Sequence, residues 1–171
     1  MTIAKVKRET RARPSMHNMD VIGMRGDAGF DDIVNHFIGL GGDVILFDPN
    51  MVCGKGQIMS AAVHAERSFE HGYNRSKTLL TEIILYASGE RQIGKALKKM
   101  RPKKGCSEYV AAVLDIDGDL DLGKIGMTRC DALVEPTPEK AASLGLESHG
   151  KDLPLDRLAM EMVAMVDILK A

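Results

Sequence analysis

Residues 41–49 read GGDVILFDP: a pair of glycines, a compact apolar run Val44–Phe47, and then Asp48-Pro49. Four apolar residues bounded by turn formers are too few for a helix and fit a buried strand. Two more segments of this kind lie far away in the chain. Met19 to Arg25 (MDVIGMR) precedes it, and Tyr109 to Leu114 (YVAAVL) follows it by some sixty residues. What separates them is helical. Phe30 to Leu40 carries Phe30, Ile33, Val34 and Phe37 on one stripe, closed by Gly41-Gly42. From Lys55, Ile58, Ala62, Ala65 and Phe69 recur at helical spacing up to Gly72.

Asn74 or Ser76 can cap a further helix around Leu80, Ile83, Ile84 and Ala87, apolar nearly all round and therefore expected at the buried centre. Glu90 to Met100 reads as another helix, with Ile93, Ala96, Leu97 and Met100 inward. Asp115 to Gly123 is an acidic turn, Ala132 to Val134 a possible strand, Glu139 to Leu144 a short helix, and Leu155 to Leu169 a long final one. Strands spaced by several helices, without βαβ alternation, give an α+β fold: a small mixed or antiparallel sheet packed with helices. Residues 1–18 read as a basic lead and residues 19–171 as one domain.

Composition excludes several classes. Of 171 residues, 44% are hydrophobic and 27% charged, as in ordinary globular proteins. Eleven Met and no Trp put the core on aliphatic and thioether side chains, which adapt readily to a partner. Cys53, Cys106 and Cys130 match neither a zinc pattern nor a disulfide framework, and no apolar run is long enough to cross a membrane. A cytoplasmic protein without membrane contact is expected. The net charge of −1 hides an asymmetry: residues 1–104 hold 17 Lys/Arg against 11 Asp/Glu, and the remainder 6 against 13. Arg91 to Lys104 alone has seven basic residues and no acidic one, which suggests either an anionic partner or a solvated helix face.

No constellation points to catalysis, a metal or a cofactor. Gly54-Lys55-Gly56 lacks the hydroxyl and the earlier glycine of a phosphate loop, so a plain helix start is expected. Asp115, Asp117, Asp119 and Asp121 alternate like a calcium loop, but Leu120 and Gly126 occupy the positions that need Gly and Glu. His64 and His71 stand two helical turns apart, about 10 Å. The final helix is more informative. Leu155, Leu158, Met162, Met165 and Leu169 form one stripe, Ala159, Val163, Val166 and Lys170 a second, and Ile168 lies further round. So much apolar surface fits either a helix sandwiched in its own domain or one that meets another chain.

The strings MVCGK at 51–55 and LYASGERQI at 85–93, with GGDV at 41–44, resemble the small kinase-binding subunit of the KEOPS complex, the PRPK-binding protein family. The resemblance spans about residues 19–135 and continues more weakly to the final helix. It implies a non-catalytic subunit of a cytoplasmic assembly that makes the threonylcarbamoyl-adenosine (t6A) modification of tRNA. The implied partners are the atypical kinase/ATPase subunit, tRNA recruited by its 3′ end and, indirectly, the threonylcarbamoyl transferase subunit. Carried onto this sequence, the kinase contact falls on Leu158, Met162, Met165, Val166 and Leu169. The tRNA contact falls on Lys55, Asn74, Ser76, Lys77, Arg91, Gln92 and Lys95. The alternatives are a structural adaptor without RNA contact and a nucleotide-binding enzyme using Lys55.

Overall fold

The computed structural model describes residues 17–146 and 152–170. Among them the chain runs β1 (Met19–Gly26), α1 (Phe30–Gly39), β2 (Asp43–Phe47), α2 (Lys55–His71), α3 (Leu79–Ser88), α4 (Ile93–Met100), β3 (Glu108–Leu114), β4 (Met127–Arg129), α5 (Pro138–Leu144) and α6 (Leu155–Lys170). The fold is α+β. The four strands form one antiparallel sheet in the order β2-β3-β1-β4, with Ala112 paired to both Val21 and Ile45.

Both faces of this sheet are covered, which is why its strands read as continuous apolar runs rather than alternating ones. Val21, Ile45, Phe47, Val110, Ala112 and Leu114 pack with residues of α2, α3 and α6. Ile22, Met24, Val44, Leu46, Tyr109, Ala111 and Val113 face the other way, onto Ile33 and Phe37 of α1 and onto Met127. Ile116, Leu120, Leu122 and Ile125 pack against this second layer from within the acidic segment. His36 Nε2, 2.7 Å from the Leu120 carbonyl, ties that segment to α1.

Several local readings are corrected. Ala132–Val134 is not a strand: residues 131–134 form a 3-10 turn in which Leu133 N–H donates to the Cys130 carbonyl and Glu135 N–H to that of Ala132. A three-residue apolar run carries no periodicity to separate the two states. The fourth strand is Met127–Arg129, with only Met127 buried. The cap of α3 is Thr78, whose Oγ1 accepts the Thr81 N–H, rather than Asn74 or Ser76. Helix α4 starts at Ile93 rather than Glu90, whose N–H donates to Ser88 Oγ in the turn after α3. On α2 the buried stripe is Gln57, Ile58, Ala61, Ala65 and Ser68, so Ala62 and Phe69 lie at its margin. Of the basic lead, residues 1–16 lie outside the described residues, while His17 and Asn18 are bonded to Asp115.

Gly23 lets the 3-10 turn close on the sheet. A Cβ there would fall onto the Cys130 carbonyl and the Leu133 Cβ, whereas one at Gly94 meets nothing within 4 Å. Gly23→Ala should therefore cost about 3 kcal/mol or more. Gly94→Ala, inside α4, should gain about 0.5–1 kcal/mol. Urea unfolding of the two variants reads both signs.

Candidate functional site

Helix α6 lies against α2 and α3 with Leu158, Ala159, Val163 and Val166 buried. Val163 and Val166 join Ile58, Ala65, Ile83, Tyr86 and Ala87 in the main core. Ala159 packs instead with Cys53, Ala141 and Leu144. The helix cannot slide on this face, because its last turn is pinned by polar groups. Lys170 Nζ lies 2.5 Å from Glu82 Oε1 and 3.0 Å from Tyr86 Oη, above the Tyr86 ring at 4.5 Å from its centroid. Tyr86 Oη donates to Asp167, whose other carboxylate oxygen is 2.8 Å from His64 Nδ1.

Glu82 has no solvent exposure, and the Lys170 side chain is 4% exposed. Burial alone would push the Glu82 carboxyl upward. The Lys170 ammonium, together with the Ser76 and Arg75 N–H groups that donate at 2.8 and 3.2 Å, outweighs it and holds the carboxyl below its usual range. Ser68 Oγ lies 3.3 Å from the same carboxylate, with its proton on the Ala65 carbonyl at 2.7 Å. Burial, with the Asp167 carboxylate beside it, pushes the Tyr86 phenol far above its ordinary range. Arg75 also donates from its guanidinium to the Lys170 carbonyl at 2.6 Å, so the 72–78 loop and the end of α6 hold each other.

The outward side of α6 is apolar and uncovered among the described residues: Met165 is 48% exposed, Ile168 66% and Leu169 44%. Met162 is half-buried over Gly89, where a Cβ would come within 2.6 Å of its Cγ. The five residues read as a kinase contact thus divide. Leu158 and Val166 lie in the protein's own interior, Met162 at the margin, and Met165 and Leu169 outside.

The residues read as a tRNA contact fall at two ends of one helix. Asn74, Ser76 and Lys77 precede α3, and Arg91, Gln92 and Lys95 follow it, separated by ten helical residues or about 15 Å. Gln57 Nε2 donates to the Ala87 carbonyl, which sets the start of α2, with Lys55, beside the second group. Arg91, Gln92, Lys95 and Lys77 are exposed, but Ser76 is buried and Asn74 Nδ2 is spent on the Ser76 carbonyl. Lys55 Nζ pairs with Asp20 at 2.8 Å. Gly54 and Gly56 are there for packing: a Cβ would press on Asp156 and Pro136 at the first and on Met160 at the second.

Glu82, Tyr86, Asp167 and Lys170 were not among the residues singled out from sequence as functional. The signal for one of them was present, since Lys170 shares the helical stripe of Ala159, Val163 and Val166. Among the described residues no three His, Cys, Asp or Glu side chains converge to hold a metal, and no helix is long and apolar enough to cross a membrane.

Fold and helix together define an α+β protein whose last helix keeps its inner face for the core and, among the described residues, leaves an apolar outer face uncovered. Residues 38–168 match the family of kinase binding protein CGI-121. That is well over half of the chain, and the protein belongs to this family, the one its central strings resemble. No curated protein matches it in sequence.

Lys170→Met leaves Glu82 buried without its cation and should cost about 3–5 kcal/mol at neutral pH. In the native chain the Glu82 carboxyl is depressed, so its contribution is complete above the ordinary carboxylate range and fades as pH falls through the folded value. In the variant a buried carboxyl without its cation gains by taking up a proton. The deficit relative to the native chain should narrow from pH 7 to about pH 4 in urea unfolding.

Proposed function

We propose that this protein is a non-catalytic subunit of a KEOPS-type assembly in the cytoplasm. It binds the atypical kinase/ATPase subunit through the outer face of α6 and helps recruit the 3′ end of tRNA for t6A modification. Its link to the threonylcarbamoyl transferase subunit is indirect. The observation that carries this reading is the exposed stripe Met165, Ile168 and Leu169, on a helix whose inner face is already filled by its own core, in a chain of a kinase-binding family. Burying such side chains contributes roughly 1.5–3 kcal/mol each, enough for a few to dominate an interface. RNA recruitment is supported by the basic surplus from Arg91 to Lys104 and by the exposure of Arg91, Gln92 and Lys95.

A nucleotide-binding enzyme at Lys55 is disfavoured by the Asp20 partner and by the close packing around Gly54 and Gly56. A structural adaptor without RNA contact is the remaining alternative, and the RNA experiment separates it from the main reading.

Met165→Glu with Leu169→Glu should abolish size-exclusion co-elution with the kinase subunit and leave the unfolding midpoint nearly unchanged. Retained co-elution would move the interface off α6. Val166→Glu should fail differently, by unfolding the isolated protein, since Val166 has no exposure.

Arg91→Glu with Lys95→Glu should weaken tRNA binding and reduce the slope of log K against log salt by about 1.4, two single-strand contacts' worth. Unchanged affinity at low salt would place the RNA elsewhere, and absence of binding in the native complex would leave an adaptor.

A further inference from the structure

A cleft of about 650 Å³ lies between two segments: residues 26–31, at the end of β1 and the start of α1, and residues 101–107, between α4 and β3. Its volume is that of an ordinary ligand pocket. Backbone bonds hold the two sides in place. Gly26 N–H donates to the Ser107 carbonyl at 2.9 Å, and Cys106 N–H donates to the Lys103 carbonyl at 3.1 Å, closing the turn that carries the basic side chains. We propose that this cleft seats one unpaired nucleotide of a bound RNA strand, its base against Phe30 and its phosphates on Arg101, Lys103 and Lys104. This seat presupposes the RNA recruitment proposed above and lies beyond the Arg91 and Lys95 contact.

Arg101, Lys103 and Lys104 are exposed and line the cleft, and none of the three enters an ion pair among the described residues. Lys99 shows the contrast: its ammonium is turned back on the Ser88 carbonyl at 2.7 Å and on Glu90. Three cations within four residues concentrate positive potential on one side of the cleft, and a phosphate backbone is the polymer that such a side attracts.

The other side supplies the base contact. Phe30 lines it and is 45% exposed, in a chain with only four Phe, three Tyr and no Trp. A positive groove beside an open aromatic ring is what single-stranded nucleic acid requires, since the charge follows the backbone and the ring takes a base. Asp27 and Asp31 line the cleft on the Phe30 side. They turn phosphate away from that side and can accept from the amino edge of a base. The cleft is thus polarised as a nucleotide is, with an anion at one side and a donor edge at the other.

Helix α4 joins this seat to the contact already proposed. Arg91 stands before its start, Lys95 and Lys98 are exposed along it, and Arg101 follows its end, over a helix of about 12 Å. The basic surplus of residues 91–104 then forms one track with an aromatic ring at its far end. A base paired in a duplex cannot lie on Phe30, so the strand must be single there.

The test uses the full chain, alone and with the kinase subunit, and fluorescently labelled tRNA. Phe30→Ala should weaken binding about 5- to 150-fold, the loss of one stacked base, and leave the slope of log K against log salt unchanged. Phe30→Trp should restore the affinity. Replacing Arg101, Lys103 and Lys104 together by Gln should reduce the slope by about 2, three single-strand contacts' worth. Unfolding midpoints should stay near the native value. A single-stranded oligouridylate carrying 5-iodouridine should cross-link to Phe30 on irradiation, and its duplex with oligoadenylate should not. Native affinity in the Phe30→Ala and triple Gln variants, with Arg91→Glu, Lys95→Glu still weakening binding, overturns the seat and leaves the α4 contact standing. Absence of RNA binding by the native chain in both settings removes RNA recruitment itself, and the seat with it. A Phe30 cross-link that free uridine 5′-monophosphate blocks, with tRNA affinity native in both variants, would give the cleft to a free nucleotide and equally overturn the seat.

Discussion

The arrangement turns on one carboxylate. Glu82 sits in a helix of otherwise apolar and small side chains, LLTEIILYAS, with no exposure to water. A charge there costs several kcal/mol unless it is fully met by donors. The donors come from two separate parts of the chain: Lys170 at the end of α6, and the backbone of Arg75 and Ser76 in the loop before α3. Each is held in place because the carboxylate needs it. The loop before α3 and the last turn of α6 are thereby set against each other, and Arg75 closes the circuit on the Lys170 carbonyl.

That constraint bears on how an apolar face can be shown to a partner. A helix attached by apolar contacts alone could roll and bury Met165, Ile168 and Leu169 in its own groove. With Lys170 and Asp167 pinned to Glu82, Tyr86 and His64, the rotation is fixed and the stripe stays outward. The ordering is then complete before any partner arrives, which lowers the entropic cost of association. Methionine at 162 and 165 leaves the surface itself adaptable on a rigid support.

Much of this was legible in the sequence, for reasons that also explain the rest. The runs Val44–Phe47 and Tyr109–Leu114 announced strands because both faces of the sheet are buried, and the apolar runs are unbroken. β4 was missed because it has three residues and only Met127 points inward. The α2 stripe was read one position off because Gln57 and Ser68 are buried but polar. Gln57 accepts from the Cys53 N–H and donates to the Met51 and Ala87 carbonyls, and Ser68 donates to the Ala65 carbonyl. Hydrophobic periodicity does not register a polar side chain whose partners lie on other elements.

The same limit decided the candidate site. Periodicity found two apolar stripes on α6 but could not say which one the fold would keep. Leu158 and Val166 went into one reading with Met165 and Leu169, although the structure buries the first two and exposes the others. Lys170 carried the missing information. A lysine on the stripe of Ala159, Val163 and Val166 is tolerable inside only if a buried acid faces it, and Glu82 is the carboxylate stranded in the helix next to it. The two charged residues that looked misplaced in apolar helices identify each other. Together they mark the inner stripe, and among the described residues the apolar side chains on the other side of α6 stay exposed, on the face proposed for the kinase contact.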